Sequence, residues 1–142
     1  MTHSLTPEER AETFGEFDPG AHRAEAEQRW GDTDAYRESN RRTSGYTKVD
    51  WLRIKAEAAA IHERLAAGLA AGVPAGDSQA MDLAEAHRQH LTRWFYDCSY
   101  EFHRKLGEMY VADPRFTEHY EAVAPGLAAY LRDAINANAR AH

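Results

Sequence analysis

The chain has 142 residues, of which 43% are hydrophobic, and this length and composition suffice for one domain with one core. The formal net charge is −6, so the domain as a whole would repel nucleic acid unless basic residues were gathered on one face, and the sequence contains no such patch. The single cysteine, Cys98, excludes an internal disulfide, and no apolar run approaches the length of a signal sequence or a membrane span, so we expect a soluble cytoplasmic protein.

The pattern of hydrophobic residues predicts an all-α fold, because the chain lacks the Val/Ile/Thr-rich alternation that is typical of strands. Thr6-Pro7 predicts the start of a short first helix, since Thr is a favoured N-cap and Pro a favoured first helical residue. A second helix is predicted from about Ala21 to Trp30. A third is predicted from Asp34 to Arg42 and ends at Ser44-Gly45.

This N-terminal third has few residues that could form a core. Between Thr6 and Lys48 there is no Val, Ile, Leu or Met. Ordering each residue costs roughly 1–2 kcal/mol of backbone entropy, and scattered aromatic rings at about 25 cal/mol per Å² of buried area cannot offset that cost. We therefore expect residues 1–46 to be a mobile arm that becomes helical when a ligand binds, and residues 47–142 to be the helical core.

The first core helix is predicted to begin at Thr47-x-x-Asp50, which is close to a capping box, and to end near Gly72-Val73-Pro74. Apolar residues follow at i+3/i+4 spacing, as expected for one buried face. They are Trp51, Ile54, Ala58, Ile61, Leu65 and Leu69.

The next helix is predicted to be capped by Asp77 or Ser78. Its stripe comprises Met81, Ala84, His87, Leu91, Trp94, Phe95 and Cys98. A further helix carries Phe102, Leu106, Met109 and Tyr110, and Asp113-Pro114 begins a brief one with Phe116 and Tyr120. Ala124-Pro125 begins the last helix, whose inward stripe is Leu127, Leu131, Ala134, Ile135 and Asn138, with Arg132 and Asp133 facing water.

Two histidines raise the question of a metal site. His87 and His90 lie on one predicted helix with Asp97 and Cys98 beyond them, but no Cys pair, Glu-x-x-His or His-Glu-x-x-His motif accompanies them. We therefore expect no metal and no cofactor, with one histidine lining a pocket and the other on the surface. Neither His90 nor His103 is a clean helical neighbour of Cys98, so we expect a buried, inert thiol and no catalytic residue.

Aromatic and imidazole side chains are concentrated between Trp94 and Tyr110, and no single helix face can hold them all. The residues expected to satisfy the core are Trp94, Phe95, Phe102 and Leu106, and those expected to point elsewhere are Tyr96, Tyr100, His90 and His103. One interpretation is an ordinary amphipathic surface. The other is a pocket lined by rings with a few polar tips, which suits a large, flat, heteroaromatic ligand.

Several runs resemble a known family of drug-binding domains. They are RWGDTDAY at 29–36, YTK followed by DW at 46–51, YDCSYE at 96–101, LGEMYV at 106–111 and PGLAAY at 125–130. With them, nearly the whole chain from Leu5 onward resembles the TipA-type thiostrepton-binding domains. The resemblance implies a globin-like helical fold without haem that sequesters thiopeptide antibiotics, with an N-terminal portion ordered by the ligand.

The resemblance also bears on partners and on the site. It implies that longer members place this domain after a MerR-type DNA-binding part, so that drug binding activates transcription, and that this chain corresponds to a short form or to an effector domain. This domain would itself bind neither nucleic acid nor membrane. The ligand-binding residues we predict are Trp30, Tyr36, Tyr46, His87, His90, Trp94, Tyr96, Asp97, Cys98, Tyr100, His103 and Tyr110.

One position departs from the family pattern. The resemblance implies that thiostrepton is attached covalently through a second cysteine seven positions after the one matching Cys98, and Lys105 occupies that position here. We therefore expect reversible binding. Two alternatives stay open from the residues: a helical module whose arm folds against another protein, and a small drug-modifying enzyme that uses His90, Cys98 or His103.

Overall fold

The computed structural model describes residues 34–142, apart from the side chains of Ala35 and Tyr36. In this range every regular element is a helix, which confirms the predicted all-α class. The helices are α1 (Asp34–Thr43), α2 (Lys48–Ala70), α3 (Ser78–Trp94), α4 (Tyr100–Ala112), α5 (Pro114–Val123) and α6 (Leu127–Arg140). The first two predicted helices and the expected mobility of the arm before residue 34 lie outside the described residues.

The start of α2 confirms the predicted capping box. The backbone N–H of Thr47 donates to Asp50 Oδ2 at 3.0 Å, and the backbone N–H of Asp50 donates to Thr47 Oγ1 at 3.3 Å. At the other end, Gly72 adopts a φ of 77°, a left-handed conformation that favours glycine. Its N–H donates to the Leu69 carbonyl and that of Val73 to the Gly68 carbonyl, so α2 ends in a Schellman motif.

Side chains also fix where the later helices begin. Asp77 accepts from the Gln79 N–H, which confirms one of the two caps predicted for α3. Ser99 caps α4, and Asp113 caps α5 with Pro114 at its first turn. The start of α6 is capped from the preceding helix: Glu121 on α5 accepts from the backbone N–H groups of Gly126 and Ala128.

The chain divides into two compact units. In the described part, unit 1 comprises residues 34–57 and Leu91–Asp97, and unit 2 comprises Ala58–His90 and Cys98–His142. Each unit is described by itself below. The predicted separation of a 1–46 arm from a 47–142 core stays a prediction.

The core of unit 2 is built on α6, whose predicted inward stripe is confirmed. Leu127, Leu131, Ala134 and Ile135 are fully or almost fully buried, and Asn138 is 3% exposed. The four apolar residues form one core cluster with Ala128 and Tyr130 of the same helix and with buried residues of the other helices of the unit, namely Leu65, Ala80, Ala84, Tyr110 and Tyr120. The predicted stripes of α2 and α3 are buried or half-buried as well.

Helix α4 packs against α6. Gly107 is buried at this crossing, and a Cβ built there would lie 3.4 Å from Arg132 Cα and from Ile135 Cδ1. A glycine costs helix stability, but its missing side chain lets the two helix backbones approach closely.

Candidate functional site

Unit 1 holds an aromatic cluster, which we define as Tyr46, Trp51, Trp94 and Phe95. The Tyr46 ring meets Trp94 edge-on with centroids 5.6 Å apart, and it meets Trp51 at 5.8 Å. Trp51 in turn lies 6.3 Å from Phe95. The Tyr46 hydroxyl donates to the Trp94 carbonyl, and the indole N–H of Trp94 donates to Glu57 Oε1 at 2.8 Å. The rings of this cluster are held in place by their edge-to-face packing and by the hydrogen bonds of the Tyr46 hydroxyl and the Trp94 indole N–H.

Arg42 ties α1 to the last turn of α3 and to the residues after it. Its guanidinium donates to the Thr92 carbonyl at 2.7 Å, to Asp97 Oδ1 at 3.1 Å and to Glu38 Oε2 at 2.6 Å. Arg41 also binds Glu38, and the hydrogen bonds from Arg41 and Arg42 lower the pKa of Glu38 to about 2. One cation therefore holds the 91–97 segment of unit 1 in place.

Unit 2 holds an imidazole cluster, which we define as His62, His87, His90, His103 and His119. His62, His87, His90 and His103 are each less than 9% exposed. His87 Nδ1 lies 2.8 Å from His103 Nε2, and the two rings stack with centroids 5.1 Å apart. The ring centroid of His62 lies 6.1 Å from that of His87 and 5.8 Å from that of His119.

Tyrosine rings complete the surroundings of the imidazole cluster. Tyr120 lies 5.0 Å from His62 between ring centroids, and Tyr110 lies 5.9 Å from His87. Both phenols are buried, and burial raises the pKa of Tyr120 far above its ordinary range. These rings pack as core and leave little surface for a ligand.

Burial strongly perturbs the imidazoles. Desolvation is the largest cause in each case, and it lowers the pKa of His62 and of His103 to about 4. For His87 desolvation is reinforced by the neighbouring histidines, and its pKa falls well below 6.5. Two buried ring nitrogens, His62 Nε2 and His103 Nδ1, have no hydrogen-bond partner. At neutral pH the three rings are therefore uncharged.

Arg88 organises the polar edge of unit 2. It donates to the Cys98 carbonyl at 2.8 Å and to Glu85 Oε2 at 2.7 Å, and its guanidinium carbon lies 4.1 Å from the centre of the Tyr100 ring. The Tyr100 ring also stacks on His142 with centroids 4.6 Å apart. The Arg88 hydrogen bond is the largest cause that lowers the pKa of Glu85 to about 2. Tyr100 is thus held between a cation and a ring.

The single thiol is protected. Cys98 is 2% exposed, and desolvation raises its pKa to about 11, which confirms the expectation of a buried thiol. It lies in the connection between α3 and α4 and not on α3, so the predicted stripe continued past the true end of the helix at Trp94. Lys105 is exposed on α4.

The predicted site residues differ in the unit to which they belong and in how exposed they are to solvent. Tyr46 and Tyr96 are half-buried and Asp97 is exposed in unit 1, and Tyr100 is half-buried in unit 2. The residues that lie buried are Trp94 in unit 1 and His87, His90, Cys98, His103 and Tyr110 in unit 2. Trp30 lies outside the described residues, as does the side chain of Tyr36.

Two expectations about histidines are wrong. His90 and His103 do not point away from the core but are 8% and 0% exposed, and neither His87 nor His90 is a surface histidine. Because α3 ends at Trp94 and α4 begins at Tyr100, the two helices have independent phases, and a stripe drawn on α3 cannot place His103.

Sequence reasoning also missed His62, His119, Arg42 and Arg88. His62 had a usable signal, since it follows Ile61 and precedes Leu65 by three residues on an apolar helix. Long-range contacts place the others, and a single sequence does not display such contacts.

Two further observations bear on the class of site. Within residues 34–142, no group of three or more His, Cys, Asp or Glu side chains is arranged to hold a metal ion. None of the described helices is long and apolar enough to cross a membrane.

Comparison with known proteins gives concordant matches. The TipAS antibiotic-recognition domain family matches residues 22–138. The HTH-type transcriptional activator TipA of Streptomyces lividans and of Streptomyces coelicolor is 55% identical over 142 residues, which are 100% of this chain and 56% of TipA. The HTH-type transcriptional activator mta of Bacillus subtilis is 41% identical over 98 residues, or 69% of this chain and 37% of mta. The chain thus spans about half the length, or less, of these curated relatives.

Solved structures agree. TipAS of Streptomyces lividans in complex with the thiopeptide nosiheptide matches with a TM-score of 0.92 and 55% identity, over 98% of this chain and 97% of that one. The antibiotic-binding domain of a TipA-class multidrug resistance transcriptional regulator matches with a TM-score of 0.60 and 55% identity, over 65% of this chain and 98% of that one.

Proposed function

Because the chain belongs to the TipAS antibiotic-recognition domain family, we propose that it binds and sequesters thiopeptide antibiotics and does not transform them. One observation carries the proposal: the match to TipAS, solved with nosiheptide, extends over 98% of this chain at 55% identity. Sequestration in the cytoplasm would protect the cell. If the chain were joined to a DNA-binding part like that of its HTH-type relatives, drug binding would change the transcription of target genes.

The solvent exposure of each side chain decides which ones we propose to contact the drug. In unit 1, Tyr46 and Tyr96 keep part of their rings accessible, and Asp97 offers a carboxylate next to Tyr96 in sequence. Flat heteroaromatic rings pack well on aromatic faces, and a few polar groups fix their orientation. In unit 2, Tyr100 is half-buried between Arg88 and His142, so the drug would stack on it in place of the exposed His142.

The buried residues have a different proposed role. His87, His103 and Tyr110 cannot reach a ligand while the core of unit 2 is closed, because each is at most 5% exposed. We propose that they act by positioning helices α3 and α4. The His103→Ala substitution should therefore destabilise the fold and cannot report drug contact alone.

The N-terminal residues complete the proposal. Residues 1 to 46 are proposed to become more firmly ordered on the drug, with Trp30 and Tyr36 contributing rings, because this stretch has almost no aliphatic side chains with which to fold by itself, although its last part already forms α1 in the structure. Amide hydrogen exchange should slow in this stretch when nosiheptide is added. Equal exchange in the free and drug-bound protein would contradict the proposed ordering.

Thermal unfolding of the purified chain with thiostrepton or nosiheptide tests the function. A ligand that binds only the folded state raises the unfolding free energy by about 2.7 kcal/mol at one hundred times its Kd, so the midpoint should rise with drug concentration. Mass spectrometry of the recovered drug should show it unchanged. No shift in the midpoint would contradict binding, and a modified drug would favour the enzyme alternative.

Substitutions test the proposed contacts. Tyr96→Ala and Tyr100→Ala should each weaken binding by roughly tenfold, since an aromatic pair contributes about 0.5–1.5 kcal/mol beyond the apolar area that it buries. Val123→Ala, on the exposed surface of α5, is the matched control and should bind as the native chain does. Unchanged affinity in both tyrosine variants would place the contacts elsewhere.

A further inference from the structure

The imidazole cluster has no part in the proposed drug contacts, yet it concentrates titratable groups in the core of unit 2. Four of its five rings are less than 9% exposed. All six histidines of the described residues lie in unit 2, whereas residues 34–57 and Leu91–Asp97 of unit 1 contain none. A buried neutral imidazole is tolerated, but a buried imidazolium without a partner is not.

The hydrogen bonding of three rings of the cluster, those of His62, His87 and His103, disfavours additional protons. His87 Nδ1 and His103 Nε2 share one hydrogen bond, so one ring donates and the other accepts. A second proton between those nitrogens would set two donors face to face at 2.8 Å. His103 Nδ1 and His62 Nε2 are buried without any acceptor.

The charged and titratable groups around the cluster do not compensate. From α3, Arg88 disfavours a charge on His103 and Glu85 favours it, but Glu85 already accepts from Arg88, from Gln89 and from Asn138 of α6. The other titratable neighbours on α4 and α5 are the phenols Tyr110 and Tyr120, which cannot neutralise an imidazolium while they are protonated.

We propose that the imidazole cluster is an acid-sensitive switch: neutral rings keep the core of unit 2 closed, and their protonation in mild acid opens it. The rings would leave the core to reach water, and the contacts of His62 with Tyr120 and of His87 with Tyr110 would be lost. The switch needs no ligand and does not depend on the proposed drug binding.

The direction follows from proton linkage. The pKa of His62 and of His103 is about 4 in the folded protein, below the ordinary value of 6.5, so unfolding takes up protons. The stability they confer is complete above pH 6.5 and is lost as the pH falls from 6.5 to 4. Within that window each such ring raises the unfolding equilibrium constant about tenfold for every unit by which the pH falls. Glu85 loses its contribution only below its ordinary value of 4.5, so pH 6.5 to 5 isolates the histidines.

Proton uptake on urea unfolding of the full chain tests the switch directly. At pH 5.5 each of His62, His87 and His103 should take up close to one proton, so we expect at least about two protons per chain. At pH 8 we expect almost none. An uptake below two protons at pH 5.5 would overturn the proposal.

Variants assign the effect to the cluster. The slope of the logarithm of the unfolding constant against pH, measured from urea unfolding between pH 6.5 and 5, should fall by about one in His62→Phe. His142→Gln, which removes an exposed histidine outside the cluster, should keep the native slope. Equal slopes in the native chain and His62→Phe would overturn the proposal. If His62→Phe does not fold, the proton uptake of the native chain decides.

Discussion

Cys98 shows how the environment of one residue decides its chemistry. The residue is 2% exposed, and its backbone carbonyl accepts from Arg88. The thiolate, not the thiol, is the nucleophile, and desolvation disfavours the charged form. The pKa of about 11 therefore makes Cys98 a poor reactive group at neutral pH.

We predict that Cys98 reacts slowly with a disulfide reagent such as DTNB at pH 8. A pKa of about 11 in place of 9 lowers the thiolate fraction about a hundredfold, and burial slows access further. The chain unfolded in urea should react at least about a hundred times faster than the folded chain. Equal rates in the two states would contradict the burial and the raised pKa of this thiol.

Lys105 stands where the family resemblance implies a cysteine that captures the drug. A lysine amine adds poorly to dehydroalanine, the soft electrophile of the thiopeptide tail, which thiolates attack readily. We predict an unmodified protein mass after long incubation with thiostrepton, and a stoichiometric adduct in Lys105→Cys. An adduct on the native chain would refute reversible binding, and mapping it to Cys98 or Lys105 would identify the nucleophile.

At the scale of single residues, the sequence predicted the burial of residues on an apolar stripe but not that of His90 and His103. The burial of Cys98 was predictable because it continues an apolar periodicity, even though the helix itself ends at Trp94. The environment of His103 was not predictable, because the break between α3 and α4 resets the helical phase. His62 and Arg88 acquire their roles from contacts made by separate helices.

At the scale of elements, local signals were reliable. The capping boxes and turns at Thr47, Asp77 and Asp113 depend on side chains within three residues of the backbone groups they satisfy, so the sequence displays them directly. Helix crossings differ, since the α4–α6 packing depends on residues far apart in the chain. Gly107 gave no sign of its role except that it interrupts a helical pattern.

We predict that the α4–α6 crossing tolerates one carbon at Gly107 but not a full side chain. Gly107→Leu should lower the unfolding free energy by about 1–3 kcal/mol or more, because its branches would meet Arg132 and Ile135. Gly107→Ala should change it by less than about 1 kcal/mol, since the 3.4 Å contacts offset the gain in helix propensity. Urea unfolding at pH 7.5 measures both, and a Leu variant as stable as Ala would contradict a tight crossing.

At the scale of the whole molecule, drug binding and acid sensitivity act on the same folding equilibrium. A drug that binds only the folded chain adds to its stability, and buried imidazoles subtract from that stability as the pH falls. The two effects can therefore be compared in one measurement, the pH at which half of the chain has unfolded.

We predict that thiostrepton moves the midpoint of acid unfolding to lower pH. At one hundred times its Kd the drug adds about 2.7 kcal/mol, while two to three protons taken up on unfolding remove roughly 2.7–4 kcal/mol per pH unit. The midpoint should therefore fall by about 0.7–1 pH unit, as followed by circular dichroism. Tyr96→Ala is the control: measured from its own midpoint without drug, its shift with drug should be smaller than that of the native chain. If thiostrepton raises the thermal midpoint at pH 7.5 but leaves the acid midpoint unchanged, acid opening does not unfold the drug-binding state, and the coupling is wrong. If it changes neither midpoint, it is the proposed function that fails, and the proton uptake of the imidazole cluster stands or falls by its own measurement.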